Sequence, residues 1–194
     1  MDKKSIKKRE IIEKSIGVIF EKGYNGAGVK DLADAAGIPK GSIYNYFLNK
    51  QDYLEAVLIY YYEKSNEEQF KILEDKNIEP LNRIKEFFSF LINGLDEEDF
   101  KKGCLLGKIT QEVSGVNDEI RKITEELQDK IIAKIAINIK EAKVLKVIDS
   151  NIDEYVLAEG IYNTWQGTLI RLKSTRRKET LNNFYRVLNE VLLK

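Results

Sequence analysis

The stretch from Lys30 to Lys50, K-D-L-A-D-A-A-G-I-P-K-G-S-I-Y-N-Y-F-L-N-K, leaves this chain few folds to choose from. Lys30 to Ala36 reads as a short helix with Leu32, Ala33 and Ala36 on one face. Gly37 can take the positive φ that closes such a helix. Pro39 has no backbone donor and suits the first turn of a second short helix, from about Lys40 to Phe47. Small Ala33 and Ala36 let the two helices cross closely, with Ile43 and Phe47 turned inward. Lys40, Ser42, Tyr44, Asn45 and Tyr46 are then left to meet phosphates and base edges, as in a DNA-reading helix-turn-helix.

The rest of the chain carries helical periodicity throughout. Ile12, Ile16, Ile19 and Phe20 give a buried stripe to a helix from about Lys3 to Lys22, ended by Gly23. A fourth helix starts near Gln51, buries Leu54, Val57, Leu58 and Tyr61, and extends to about Lys76 as a lever between domains. Pro80 opens the next, with Leu81, Ile84, Phe88, Leu91 and Leu95 in phase and Gly94 near its end. A polar connector over 96–102 leads to a short apolar helix, Cys104 to Val113, and a long one from Asp118 to about Lys146. Two last helices, about Ile152–Leu172 and Thr180–Leu193, follow the capping run Asp149–Ser150–Asn151. Leu181, Phe184, Leu188 and Val191 recur at a spacing that suits packing on another helix, within the chain or across a dimer. The expectation is an all-α protein, with a helix-turn-helix domain over 1–50 and a helical regulatory and dimerisation domain over 51–194.

Charge places the polyanion partner. The 194 residues balance 32 Lys and Arg against 32 Asp and Glu, yet residues 1–50 hold ten basic and six acidic side chains. The amino end is therefore at +4 and the remainder at −4, a modest bias toward a negatively charged ligand at the amino end. A single cysteine rules out a disulfide framework within the chain and fits a reducing cytoplasm. No apolar run approaches the length of a membrane span, so the protein is expected in the cytoplasm with no membrane partner. The absence of histidine removes the commonest general base and metal ligand, and no cofactor or metal is expected. The run 96–99 reads as a solvated acidic loop because it lacks the spacing of a calcium loop. Gly23, Gly26 and Gly28 lie between helices, without the strand a dinucleotide motif requires.

The run G-Y-N-G-A-G-V-K-D-L-A-D-A-A-G-I-P-K-G-S-I-Y-N-Y-F-L-N-K resembles the TetR/AcrR family of one-component transcriptional repressors, over roughly the first quarter of the chain from Ile12 to Leu54. The resemblance implies a homodimer on a palindromic operator in double-stranded DNA, since one reading helix spans too few base pairs for specificity. It implies Lys40, Gly41, Ser42, Tyr44 and Asn45 in the major groove, with Tyr46, Lys50, Lys30 and the Gly28 amide on phosphates. Where the family often has Thr or Ser pairs, this chain has Ala27 and Gly28, so only a backbone amide is offered there.

The same resemblance implies a small-molecule effector bound among the later helices. Phe87 or Phe88, Cys104, Leu105, Tyr162 and Trp165 are the candidates to line its cavity, although each aromatic also reads as plain core. Gly160 and Gly167 are expected to leave room beside Tyr162 and Trp165. The segment Gly103–Cys104–Leu105–Leu106–Gly107 resembles a subgroup that includes electrophile-responsive repressors. A thiol at a helix start, after Lys101 and Lys102, has its thiolate favoured, whereas free cysteine also packs as a small hydrophobe. Two other readings stand beside a repressor released by an apolar or electrophilic effector: a small helical enzyme or ligand carrier, and a DNA binder without effector.

Overall fold

The computed structural model describes residues 2–95, 100 and 103–194, all of them helical or in the turns between helices. The helices are α1 (Lys3–Gly26), α2 (Val29–Ala36), a 3₁₀ segment (Lys40–Asn45), α3 (Lys50–Glu74), α4 (Pro80–Asn93), α5 (Leu105–Val113), α6 (Asp118–Val144), α7 (Glu154–Thr175) and α8 (Glu179–Val187), the last continued by a π-helical turn (Leu188–Leu192). The all-α expectation holds. The acidic run 96–99 and Lys101 and Lys102, on which two expectations rest, lie outside the described residues. Among the described residues no helix is long and apolar enough to cross a membrane.

Caps and glycine conformations explain several boundaries. The Asp2 carboxylate accepts from the Ser5 amide and starts α1. Gly23, at φ 74°, breaks that helix, and one further turn carries the chain to Gly26. Gly37, in the left-handed region at φ 70°, closes α2. The Asp153 carboxylate accepts from the Tyr155 and Val156 amides at the start of α7.

Two compact units result. The first comprises Met1–Glu63 and Leu105–Leu127. Its core holds Ile11, Ile19, Leu32, Ala33, Ile43, Phe47, Leu54, Leu58, Leu105 and Ile109, all nearly sealed from solvent. Inside it the Ser15 hydroxyl bonds the Tyr53 hydroxyl at 2.7 Å, and burial pushes the Tyr53 phenol up to about 12. The second comprises Lys64–Cys104 and Gln128–Lys194. Rings dominate its core: Phe88 meets Phe87, Trp165 and Phe184 at centroid separations of 5.0, 5.6 and 5.1 Å. Arg83 is buried there and donates to the Ile78 carbonyl, the Asn138 side-chain oxygen and the Glu141 carboxylate.

Two sequence expectations change in three dimensions, and a third, left open between two partners, is narrowed. The second helix of the pair is a 3₁₀ segment, with the Ser42 amide bonding the Pro39 carbonyl at 2.8 Å and the Tyr46 amide the Ile43 carbonyl at 3.0 Å. Leu181, Phe184 and Leu188 are buried within the single chain, and Leu188 is 0% exposed. Gly160 and Gly167 lie on the outer face of α7, where an added Cβ would meet nothing within 4 Å. They therefore open no room beside Tyr162 and Trp165, which face the other way.

Candidate nucleic-acid interface

The 3₁₀ segment owes its orientation to two anchors. Ile43 and Phe47 are buried, and the Phe47 ring meets Tyr53 edge-on at 5.1 Å. The Lys8 ammonium sits 5.1 Å from the Phe47 ring centroid. With those anchors fixed, Lys40, Gly41, Tyr44 and Asn45 project into solvent, and Ser42 and Tyr46 are half-buried at the margin. Tyr44 is 51% exposed, which leaves its ring and hydroxyl open to a partner. An ammonium, a phenol and a carboxamide on one projecting segment can donate to base edges and phosphates alike.

Three candidate phosphate contacts are already engaged in the free protein. The Gly28 amide, at the N-cap of α2, donates to the Asp31 carboxylate at 2.8 Å. Asp31 also takes the Lys22 ammonium at 2.8 Å, and these two donors hold its carboxyl below the usual carboxylate range. Lys30 bonds Asp34 at 2.6 Å, which raises the Lys30 ammonium above its ordinary value. Lys50 lies 4.4 Å above the Tyr24 ring, and partial burial lowers its ammonium although Glu112 and Asp31 pull the other way.

Sequence reasoning missed Glu112 and Lys108. Both stand on α5, one turn apart. Glu112 accepts the Tyr24 and Asn25 amides just beyond the Gly23 break, and Lys108 donates to the Phe20 carbonyl at 2.5 Å before it. A side chain at Gly23 would come within 2.5 Å of the Glu112 carboxylate. The i, i+4 charge pair was legible, but its use on the end of α1 was not, because nothing local links residues so far apart.

Of the effector candidates, Phe88, Trp165 and Tyr162 share the second unit's core with half-buried Cys104, while Leu105 is sealed inside the first unit. Trp165 also packs on Phe184 at 5.0 Å. Among the described residues the buried Tyr162 hydroxyl has no partner in good hydrogen-bond geometry, with the Gln166 side chain beside it.

A buried helix pair that projects a polar segment from a glycine turn has the form of a DNA-reading helix-turn-helix. Residues 11–57 match the bacterial regulatory proteins of the tetR family, and residues 80–188 match the tetracyclin repressor-like C-terminal domain. The chain belongs to the TetR family of transcriptional regulators, a family of regulators and not of enzymes, which removes the helical-enzyme alternative.

It is 30% identical to the transcriptional repressor DhaR of Mycobacterium sp. (strain GP1), over 96% of this chain and 92% of that protein. It is 29% identical to the transcriptional regulator AcuR of Cereibacter sphaeroides, over 94% of this chain and 83% of that protein. A crystal structure of a TetR regulatory protein from Rhodobacter sphaeroides superposes with a TM-score of 0.85 at 28% identity, covering 93% of this chain and 96% of that one.

Proposed function

We propose that the protein is a homodimeric repressor that holds a palindromic operator and releases it when a small apolar or electrophilic effector enters the regulatory unit. The observation that carries the DNA side is the outward projection of Lys40, Tyr44 and Asn45 from a segment pinned by Ile43 and Phe47. In this reading Gly41 and Ser42 accompany them into the major groove. Tyr46, Lys30, Lys50 and the Gly28 amide take phosphates, which replace Asp34 beside Lys30 and Asp31 beside the Gly28 amide. That DhaR is a repressor supports repression here.

Dimerisation is supported by the outer face of α7. Val156, Gly160, Asn163, Gly167 and Ile170 are exposed at alternating spacings of four and three, and Val187 and Val191 are exposed beyond them. Two open glycines let a partner helix approach closely, and isolated aliphatic side chains at helical spacing suit a packed interface better than solvent. The effector side rests on the aromatic cluster around Phe88 and Trp165 in the second unit, with Tyr162 and half-buried Cys104 as its candidate contacts. The effector prefers the DNA-incompetent form, so its binding shifts a two-state equilibrium.

A gel shift on the DNA upstream of the protein's own gene tests this reading. Retarded DNA that is freed by a thiol-reactive quinone is expected. No retardation would overturn the operator assignment, and retardation indifferent to quinones and apolar ligands would leave a constitutive binder.

A further inference from the structure

Five of the ten basic side chains in residues 1–50 fall within positions 3–9, the first two turns of α1. Helix stability alone argues against that placement. The partial positive charge at a helix amino end disfavours ammonium groups, and the first turn of α1 holds no acid of its own. Asp2, just before it, gives its two oxygens to the Ser5 amide and hydroxyl. Lys7 is taken by Glu10 at 2.7 Å, and Arg9 stands 3.8 Å from Glu13 with its guanidinium over the Tyr60 ring. Lys3, Lys4 and Lys8 form no ion pair among the described residues.

Helical phase turns two of these three toward the reading segment. Lys4 and Lys8 continue, at steps of four, the stripe that Ile12, Ser15 and Ile19 bury in the first unit's core. Toward the amino end the stripe changes from apolar to cationic at the level where α1 passes Phe47. The Lys8 ammonium marks that level, 5.1 Å from the Phe47 ring centroid. Phe47 is the inner anchor of the segment that projects Lys40, Tyr44 and Asn45. Lys4 lies one turn further out, about 6 Å along the helix axis, and is exposed.

Resting on the reading of Lys40–Asn45 as the operator contact, we propose that Lys4 and Lys8 grip phosphates of the duplex beside the groove that segment enters. Lys3 adds its charge next to them. The grip reads no sequence, because ammonium groups meet phosphates through charge and through release of the counterions condensed there. Charge and continuity both favour this occupant: the duplex is the polyanion held by the adjoining segment. The interface thereby extends from the helix pair onto the start of α1.

Fluorescence anisotropy tests this on two duplexes, the DNA upstream of the protein's own gene and a scrambled sequence of equal length, at several salt concentrations. The double variant Lys4→Gln, Lys8→Gln is compared with wild type. A homodimer loses four phosphate contacts, so the slope of log affinity on log salt should fall by roughly 3.6, at about 0.9 per contact. Affinity for both duplexes should drop together by about tenfold or more, leaving their ratio unchanged. The melting temperature should hold or rise, since two cations leave a helix amino end. Lys4→Gln alone, which leaves the Lys8 contact with Phe47 intact, should give about half the change in slope. Lys4→Arg, Lys8→Arg should keep the wild-type slope. A wild-type slope in the Gln double variant, beside tight binding by wild type, would overturn this inference alone. Weakening confined to the upstream sequence would also overturn it, assigning the lysines to the posture of the reading segment. Wild type that binds neither duplex would overturn the operator reading and this inference with it.

Discussion

Glu112 accepts the backbone amide of Asn25 at 2.6 Å, a bond between residues 87 positions apart. Its other oxygen takes the Tyr24 amide at 3.0 Å, so one carboxylate satisfies two donors that the break at Gly23 would leave open. Charge-assisted bonds to backbone amides are the stronger kind. Glu112→Ala is expected to lower stability by roughly 1–3 kcal/mol in urea unfolding, and to speed hydrogen exchange at Tyr24 and Asn25. Unaltered exchange at both amides would show that another acceptor replaces it.

Lys40→Ala and Tyr44→Ala are expected to keep the fold and weaken operator binding by about 1–3 kcal/mol each, with relaxed sequence preference. Lys50→Ala should weaken binding to all sequences alike and flatten the salt dependence. Binding titrations on operator and scrambled DNA at several salt concentrations separate the two behaviours. Wild-type affinity in both reading-segment variants would remove the assignment.

On the outer face of α7, Ile170→Arg is expected to yield a folded monomer, since Ile170 is exposed in the single chain. Leu188→Arg should instead unfold the protein, because Leu188 is sealed within the single chain and a charge buried there is costly unless paired. Light scattering together with circular dichroism distinguishes these outcomes. A folded dimer in Ile170→Arg would move the interface elsewhere.

Acid should loosen the second unit through Glu141. Hydrogen bonds from Lys76 and then Arg83 hold its carboxyl below the usual carboxylate range. A folded-state value below the unfolded one adds stability that is present above the unfolded value, about 4.3, and fades as pH falls through the folded one. The melting temperature of wild type should exceed that of Glu141→Gln at neutral pH, with the gap closing as pH falls below the unfolded value. A gap that persists in acid would mean that shape, not charge, is what Glu141 contributes.

Local chemistry made much of the architecture legible. Gly23, Gly37 and Pro80 mark breaks because their backbone preferences hold whatever surrounds them, and the apolar spacing of Leu54, Val57 and Leu58 survives as a buried stripe. Periodicity tells which face of a helix is apolar but not whose surface covers it. That is why Leu181, Phe184 and Leu188 could be matched to a partner chain when they pack at home. The 3₁₀ geometry of Lys40–Asn45 escaped for a different reason: Pro39 and Gly41 are compatible with either helix, and the choice falls to the packing of Ile43 and Phe47. In the candidate site, the projecting residues were readable from their types, whereas the pairing of Lys30 with Asp34 and of the Gly28 amide with Asp31 depends on side-chain reach within one turn.

The first unit is discontinuous in sequence, and this limits how the protein can be taken apart. A fragment that stops at Glu63 lacks Leu105–Leu127, and with it Glu112, Lys108 and the apolar side chains of Leu105, Leu106 and Ile109. Such a fragment would present the reading segment on a core missing one wall. A chimera that grafts this operator specificity onto another regulator must therefore transplant two stretches of sequence, with two of the three crossings falling inside long helices, α3 and α6, and the third at the start of α5.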